Sequence, residues 1–269
     1  SEMCIRDRCK MFIGSWGTLG VITEAVLRLF PLPEASKSLY MTFSSHEDSF
    51  RLIGQLLNSP LTPSSIELVD WVAGGSLAEI TGSSLKEGEV MLIVNSEGVS
   101  DDVERHRNDI GKLAEVNKAK SITVLEGEDA SRAWKAYRAI HQAMLSANPS
   151  IVQGKASVPL SKQGDMFHEI KNISARYGAD IGIAAHCGNG ILHSYVAAEN
   201  KKLTGIIGEL KQAAKELRGF FIIESAPLWV RKEVEILPPR DDYPLMRQLK
   251  TEFDPNNILN PGRLVGGIY

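Results

Sequence analysis

The period of the hydrophobic positions changes along the chain, and each change marks an element. Residues 38–44 alternate, with Leu39, Met41 and Phe43 on one side, which predicts a strand. Residues 46–58 switch to a helical period that groups Phe50, Ile53, Leu56 and Leu57. Strands are predicted over residues 65–70, 89–95 and 121–125. A long polar helix capped by Ser100 is predicted over residues 101–118. A helix over residues 129–145 follows and ends before Pro149. The same order then returns. It predicts a strand over residues 151–158, a helix from a Ser161 cap to residue 177, strands over 180–186 and 191–197, a helix over 201–217 and a strand over 219–224. Residues 227–235 read as a short helix, Pro238-Pro239 as a break, and residues 244–253 as a helix. Near the start, residues 21–29 alternate like a strand and stop at Pro31-Leu32-Pro33.

This is β-α-β-β-α-β, twice. The pattern predicts an α+β fold of two tandem split βαβ (ferredoxin-like) units. Their strands would form one wide, mostly antiparallel sheet with helices on one face. The other face would be left to cover a partner domain or a ligand.

Composition narrows the class. The chain has 269 residues, 43% hydrophobic and 23% charged, as an ordered globular protein has. Its 30 basic and 33 acidic residues give a net charge of −3, so charge makes no case for nucleic acid or anionic lipid. No apolar run approaches the roughly 18 residues of a membrane span. Cys4, Cys9 and Cys187 are too few and too scattered for a disulfide framework. They point to a reducing compartment, the cytoplasm, with membrane contact only through a partner. Residues 1–8 read as a non-native, adapter-like segment.

Two terminal motifs carry more information. Gly14-Ser15-Trp16-Gly17-Thr18-Leu19-Gly20-Val21-Ile22-Thr23-Glu24-Ala25 sets three glycines at spacing three before the predicted strand. Such a loop lets backbone approach a ligand closely. Alone it is equally a tight structural turn, and no helix follows it as a dinucleotide fold requires. The chain ends in Phe253-Asp254-Pro255, then Ile258-Leu259-Asn260-Pro261-Gly262-Arg263. In this order, with a double split βαβ region between them, the two motifs resemble FAD-linked oxidases of the vanillyl-alcohol oxidase type. The branch is similar to glycolate oxidase flavoprotein subunits and D-2-hydroxyacid dehydrogenases. Ile223-Glu224-Ser225-Ala226-Pro227 resembles the smaller, second flavoprotein subunit.

The resemblance implies FAD as cofactor and a small 2-hydroxyacid such as glycolate as substrate. It implies the last strand of a truncated FAD-binding domain at residues 9–34, a substrate or cap domain at 35–226, and a segment returning to the flavin at 227–269. Gly17, Gly20, Val21, Ile22, Asn260 and Arg263 would contact FAD. Without the rest of that domain, the chain is expected neither to retain FAD nor to turn over. A second implied role is that of a non-catalytic or electron-relaying subunit, assembled with a paralogous flavoprotein and an iron–sulfur subunit.

His186-Cys187-Gly188-Asn189-Gly190-Ile191-Leu192-His193 sets two histidines around a turn between strands. Across a hairpin they could share a divalent metal. The segment resembles the His-x-Gly-Asp-Gly-Asn-x-His motif of D-2-hydroxyacid dehydrogenases, with Asn189 for Asp and Ile191 for the second Asn. The resemblance makes Glu224 a third metal ligand, but Ser225 stands where a catalytic His would follow. His186 or His193 then remains as the base, with hydrogen bonding near a flavin as their other role. Cys187 reads as a small buried thiol. Arg138, one turn after Trp134, resembles an arginine that faces the substrate carboxylate; a structural salt bridge is the alternative. The resemblance matches Lys155 to a basic strand position near the active site; a lysine on an edge strand is the alternative.

Overall fold

The computed structural model describes residues 9–236 and 241–263. The chain divides into two compact units, residues 32–236 and residues 1–31 with 237–269.

The larger unit carries both repeats. The first runs β1 (Ala35–Phe43), α1 (His46–Leu57), β2 (Ser65–Asp70), α2 (Gly75–Thr81), β3 (Val90–Gly98), α3 (Ser100–Val116) and β4 (Ser121–Leu125). Helices α4 (Gly127–Arg138) and α5 (Ile140–Ala147) connect it to the second. That repeat runs β5 (Val152–Ser157), α6 (Gln163–Tyr177), β6 (Asp180–His186), β7 (Ile191–Ala197), α7 (Asn200–Glu216) and β8 (Phe220–Ser225), with α8 (Leu228–Glu233) after it. The strands form one eight-stranded sheet in the order β4-β1-β3-β2-β6-β7-β5-β8. Its neighbours pair antiparallel. The two repeats join edge to edge at β2 and β6, where Glu67 stands opposite His186 and Val69 opposite Ala184.

Strand alternation sends every second side chain to each face. On one face Leu39, Met41, Leu68, Leu92, Ile183 and Leu192 meet Leu52 and Ile53 of α1, Ile110 of α3, Phe167 of α6 and Leu210 of α7. Each fully buried Leu, Ile or Phe there contributes roughly 1.5–3 kcal/mol. The four repeat helices thus share one face, as the pattern predicts. The second face is not bare. Tyr40, Val69, Met91, Ile93, Ala184 and Tyr195 pack on Leu77 of α2, Ala133 and Tyr137 of α4 and Ile140 of α5. The short α2 has no counterpart in the sequence reading.

Several local expectations are corrected. Residues 21–29 form no strand, and Val26 and Leu29 stand almost fully exposed. A strand needs a hydrogen-bonding neighbour, and residues 21–29 make no ladder with any described residue. The helix expected over residues 129–145 breaks at Ala139, where the N–H is shared by the Lys135 and Ala136 carbonyls. Tyr137 and Ile140 both reach the second-face core across that break. Ser100 is the first residue of α3, not its cap; its N–H donates to the Glu34 carboxylate at 3.3 Å. Ser161 likewise lies within a 3-10 turn, Leu160–Lys162, ahead of α6.

The smaller unit contains α9 (Tyr243–Phe253) and the glycine loop. Lys250 is 3% exposed. Its Nζ donates to the carbonyls of Thr18 at 3.0 Å and Leu259 at 2.8 Å and pairs with Asp254. The Asp254 carboxylate in turn accepts the N–H groups of Ile258 and Leu259 at 2.9 and 2.8 Å. The hydrogen bond from Lys250, with these backbone donors, holds its pKa down at about 2.

Candidate functional site

Within the smaller unit the two terminal motifs meet. Trp16 and Gly17 adopt left-handed φ values of 54° and 69°. Asn260 Nδ2 donates to the Trp16 carbonyl at 2.7 Å, and a Cβ on Gly17 would approach that same nitrogen to 2.9 Å. Glycine at position 17 thus admits both the backbone turn and the Asn260 side chain. Phe12, Gly17, Gly20, Val21, Ile22 and Asn260 help line an open cleft of about 500 Å³. Val21 and Ile22 are 78% and 67% exposed. Arg263 follows the Gly262 turn and is exposed, its N–H donating to the Asn260 carbonyl. A cleft with bare loop backbone and apolar side chains at its rim fits a flat ring system better than a small ion.

In the larger unit, a polar row crosses the second sheet face where the apolar packing ends. Glu67 on β2 accepts from the Tyr137 hydroxyl at 2.6 Å and bonds His186 Nδ1 at 2.6 Å. On the neighbouring strands, Glu224 Oε2 bonds His193 Nδ1 at 3.0 Å and accepts from Gln153 Nε2 at 3.0 Å. Lys155 Nζ pairs with Glu224 Oε1 at 3.1 Å. Each histidine is therefore oriented through Nδ1 by its own carboxylate. Neither Nε2 has a hydrogen-bond partner among the described residues.

The electrostatics follow from these contacts. The hydrogen bond to Glu67 raises the His186 pKa, against the opposing effect of burial. Burial also works against charge on Glu224, but bonds from His193 and Lys155 outweigh it and hold its pKa down at about 2. Burial and the Glu67 charge push the Tyr137 hydroxyl far up, so Tyr137 acts as a donor. Cys187 is wholly buried and its thiol pKa is raised by that burial, in keeping with a packing role.

The histidine hairpin differs from the expected one in register. His186 pairs with Ile191, and His193 with Ala184, so the two histidines are diagonal rather than opposite. Their rings stand perpendicular with centroids 5.2 Å apart. The turn is fixed by Gly190, whose φ is 77°; a Cβ there would come within 2.2 Å of the Val158 carbonyl oxygen. His186, His193 and Glu224 do not bring three ligand atoms within 4.8 Å of one another. Among the described residues, three ligand atoms come within 4.8 Å of one another at His46, Glu47 and His168 instead. Lys155 is not on an edge, because β5 lies between β7 and β8. Arg138 ends α4, exposed, and makes no salt bridge among the described residues.

Glu67, Tyr137 and Gln153 were missed by sequence reasoning. Glu67 had left a trace, as a charged residue between Ile66 and Leu68 in the middle of an apolar strand. Tyr137 lies inside the Trp134-to-Arg138 segment but gave no signal of its own.

Residues 32–222 and 230–264 match the family model of FAD linked oxidases, C-terminal domain. The chain belongs to the FAD-linked oxidases. This FAD-linked oxidase chain is 27% identical over 267 residues to the glycolate oxidase subunit GlcD of Bacillus subtilis (strain 168), covering 96% of the chain and 57% of that protein. It is 27% identical over 261 residues to a D-lactate dehydrogenase of Archaeoglobus fulgidus, covering 95% and 57%. The chain thus spans little more than half the length of these relatives. In fold it resembles alkyldihydroxyacetonephosphate synthase, with a TM-score of 0.64 at 17% identity over 94% of this chain and 48% of that one. Substrate-bound p-cresol methylhydroxylase gives 0.61 at 15% identity, over 87% and 53%. These two likenesses establish the α+β fold.

Proposed function

We propose that this chain is the C-terminal part of a flavoprotein that oxidises a small 2-hydroxyacid, with glycolate and D-lactate as the first substrates to test. The observation that carries the reading is the pair of carboxylate-anchored histidines, each with Nε2 unengaged. Such an imidazole is held in one orientation and can take a proton at its outer nitrogen. In this reading His186 or His193 removes the hydroxyl proton, and the exposed Arg138 guanidinium binds the substrate carboxylate. Lys155 keeps Glu224 ionised, and Glu224 keeps His193 aligned. The chemistry FAD would supply, when bound, is acceptance of a hydride from the hydroxyl-bearing carbon. Gly17, Gly20, Val21 and Ile22 offer it backbone and apolar contact, and Asn260 and Arg263 offer polar contact. Residues 9–34 belong, in this reading, to the FAD-binding domain, and residues 227–269 return to it.

The test uses the full-length protein with glycolate or D-lactate and a dye acceptor. His186→Gln and His193→Gln are each assayed for kcat while bound flavin is read by its absorbance. A fall of about 100-fold or more in kcat for one of them, with flavin retained, supports the base assignment. Full activity in both variants overturns it. Gly17→Val should reduce flavin retention while the chain stays folded.

A second reading has its own support. Ser225-Ala226 follows Glu224, and Asn189 and Ile191 depart from the dehydrogenase motif. These favour an electron-relaying subunit that works beside a paralogous flavoprotein and an iron–sulfur protein. Under that reading the full-length protein holds FAD but is not reduced by substrate alone. Turnover without partners rules it out.

A further inference from the structure

On the opposite face of the larger unit, away from the polar row, the first residues of α1 face α6. We propose that His46, Glu47 and His168 form a binding site for a divalent transition-metal ion of the zinc class, clamping the first repeat to the second. One ligand atom from each lies within 4.8 Å of the other two. A tetrahedral ion with bonds of about 2.0–2.2 Å needs its ligands roughly 3.5 Å apart, so rotation of exposed side chains closes the set. Glu47 and His168 are both exposed, so their side chains can turn without repacking the core.

The rest of the site is built to present these donors. His46 stacks on Phe167 with ring centroids 4.8 Å apart and lies 5.6 Å from the His168 ring. Ser45 Oγ donates to Glu47 Oε2 at 2.6 Å, leaving Oε1 toward His46 Nε2 at 3.3 Å. A hydrogen-bonded ligand carboxylate of this kind is what orients metal ligands elsewhere. The three residues line an open cavity of about 480 Å³ together with Asp165, Glu169 and Glu216. Asp165 is already paired with Lys162, while Glu169 and Glu216 add negative charge that favours a cation and offsets the unfavourable N-terminal end of the α1 dipole. Two imidazoles and one carboxylate, with room for water as the fourth ligand, suit zinc, nickel or copper better than magnesium or calcium.

The site owes nothing to the flavin reading, and its test does not depend on turnover. The purified protein is titrated with Zn²⁺ by calorimetry and with Co²⁺ by visible absorption. We expect one saturable equivalent and a nitrogen–oxygen cobalt spectrum. His168→Ala and Glu47→Gln, both exposed substitutions, should each weaken binding at least tenfold. His193→Ala should leave binding unchanged. Zn²⁺ should also raise Tm in the parent and not in His168→Ala. Absence of saturable binding, binding indifferent to His168→Ala, or a thiolate–cobalt band would overturn the assignment.

Discussion

Glu67→Gln tests whether the seam between the repeats tunes His186. In the parent, Glu67 Oε2 meets both His186 Nδ1 and the Tyr137 hydroxyl at 2.6 Å. Glutamine keeps an acceptor for Tyr137 but removes the negative charge, and its amide N–H can donate to a neutral imidazole. A hydrogen bond to a charged group contributes about 1.5–3 kcal/mol. The His186 side chain retains 37% exposure, so solvent screening brings the expected loss to about 1 kcal/mol. The sign with pH follows from the raised pKa of folded His186. The stabilisation is fully present below the unfolded histidine pKa of about 6.5 and is lost as pH rises through the folded value. Glu67→Gln should therefore cost about 1 kcal/mol more at about pH 5 than at about pH 8.5. Urea unfolding at the two pH values gives the difference, and an NMR titration of the His186 ring should show its pKa falling. An equal loss at both pH values, with His186 titrating as in the parent, would refute the reasoning.

The other predictions probe packing and the smaller unit. Asp70 is wholly buried and pairs with Lys171, while also accepting the N–H groups of Ala73 and Ile183. Lys171→Met should cost about 3 kcal/mol, the low end for a broken buried pair because both backbone donors remain; chemical denaturation measures it. Gly154 sits at the β5 bulge, where a Cβ would fall 1.9 Å from the Phe221 ring. Gly154→Ala should lose about 1–3 kcal/mol, and Phe221→Leu in the same chain should recover part of it. Lys250→Met should release the closing segment from Thr18 and Leu259, read as faster limited proteolysis after residue 253 with the larger unit still intact.

The family was legible in the sequence because its two motifs are short, local and made of backbone-shaping residues. The glycine spacing before Val21 and the Asn260-to-Arg263 closing turn needed no tertiary information. The contact between Asn260 and the Trp16 carbonyl, 244 residues apart, did. The repeat order was legible for the same reason: alternation and helical period are properties of neighbouring residues. Ser100 and Ser161 misled because capping depends on which group actually reaches the free N–H, and Glu34 does so at α3.

The sequence by itself determined the strand faces, the four helices that cover one side of the sheet, and the presence of His186 and His193 beside a glycine turn. Only the tertiary structure decided what those histidines touch. Joining β2 to β6 places Glu67 beside His186, and β5 lying between β7 and β8 places Lys155 and Glu224 beside His193. Strand order is set by long-range pairing, which no local period encodes. The same holds for His46 and His168, on helices of different repeats, which become neighbours only when both helices pack on one face.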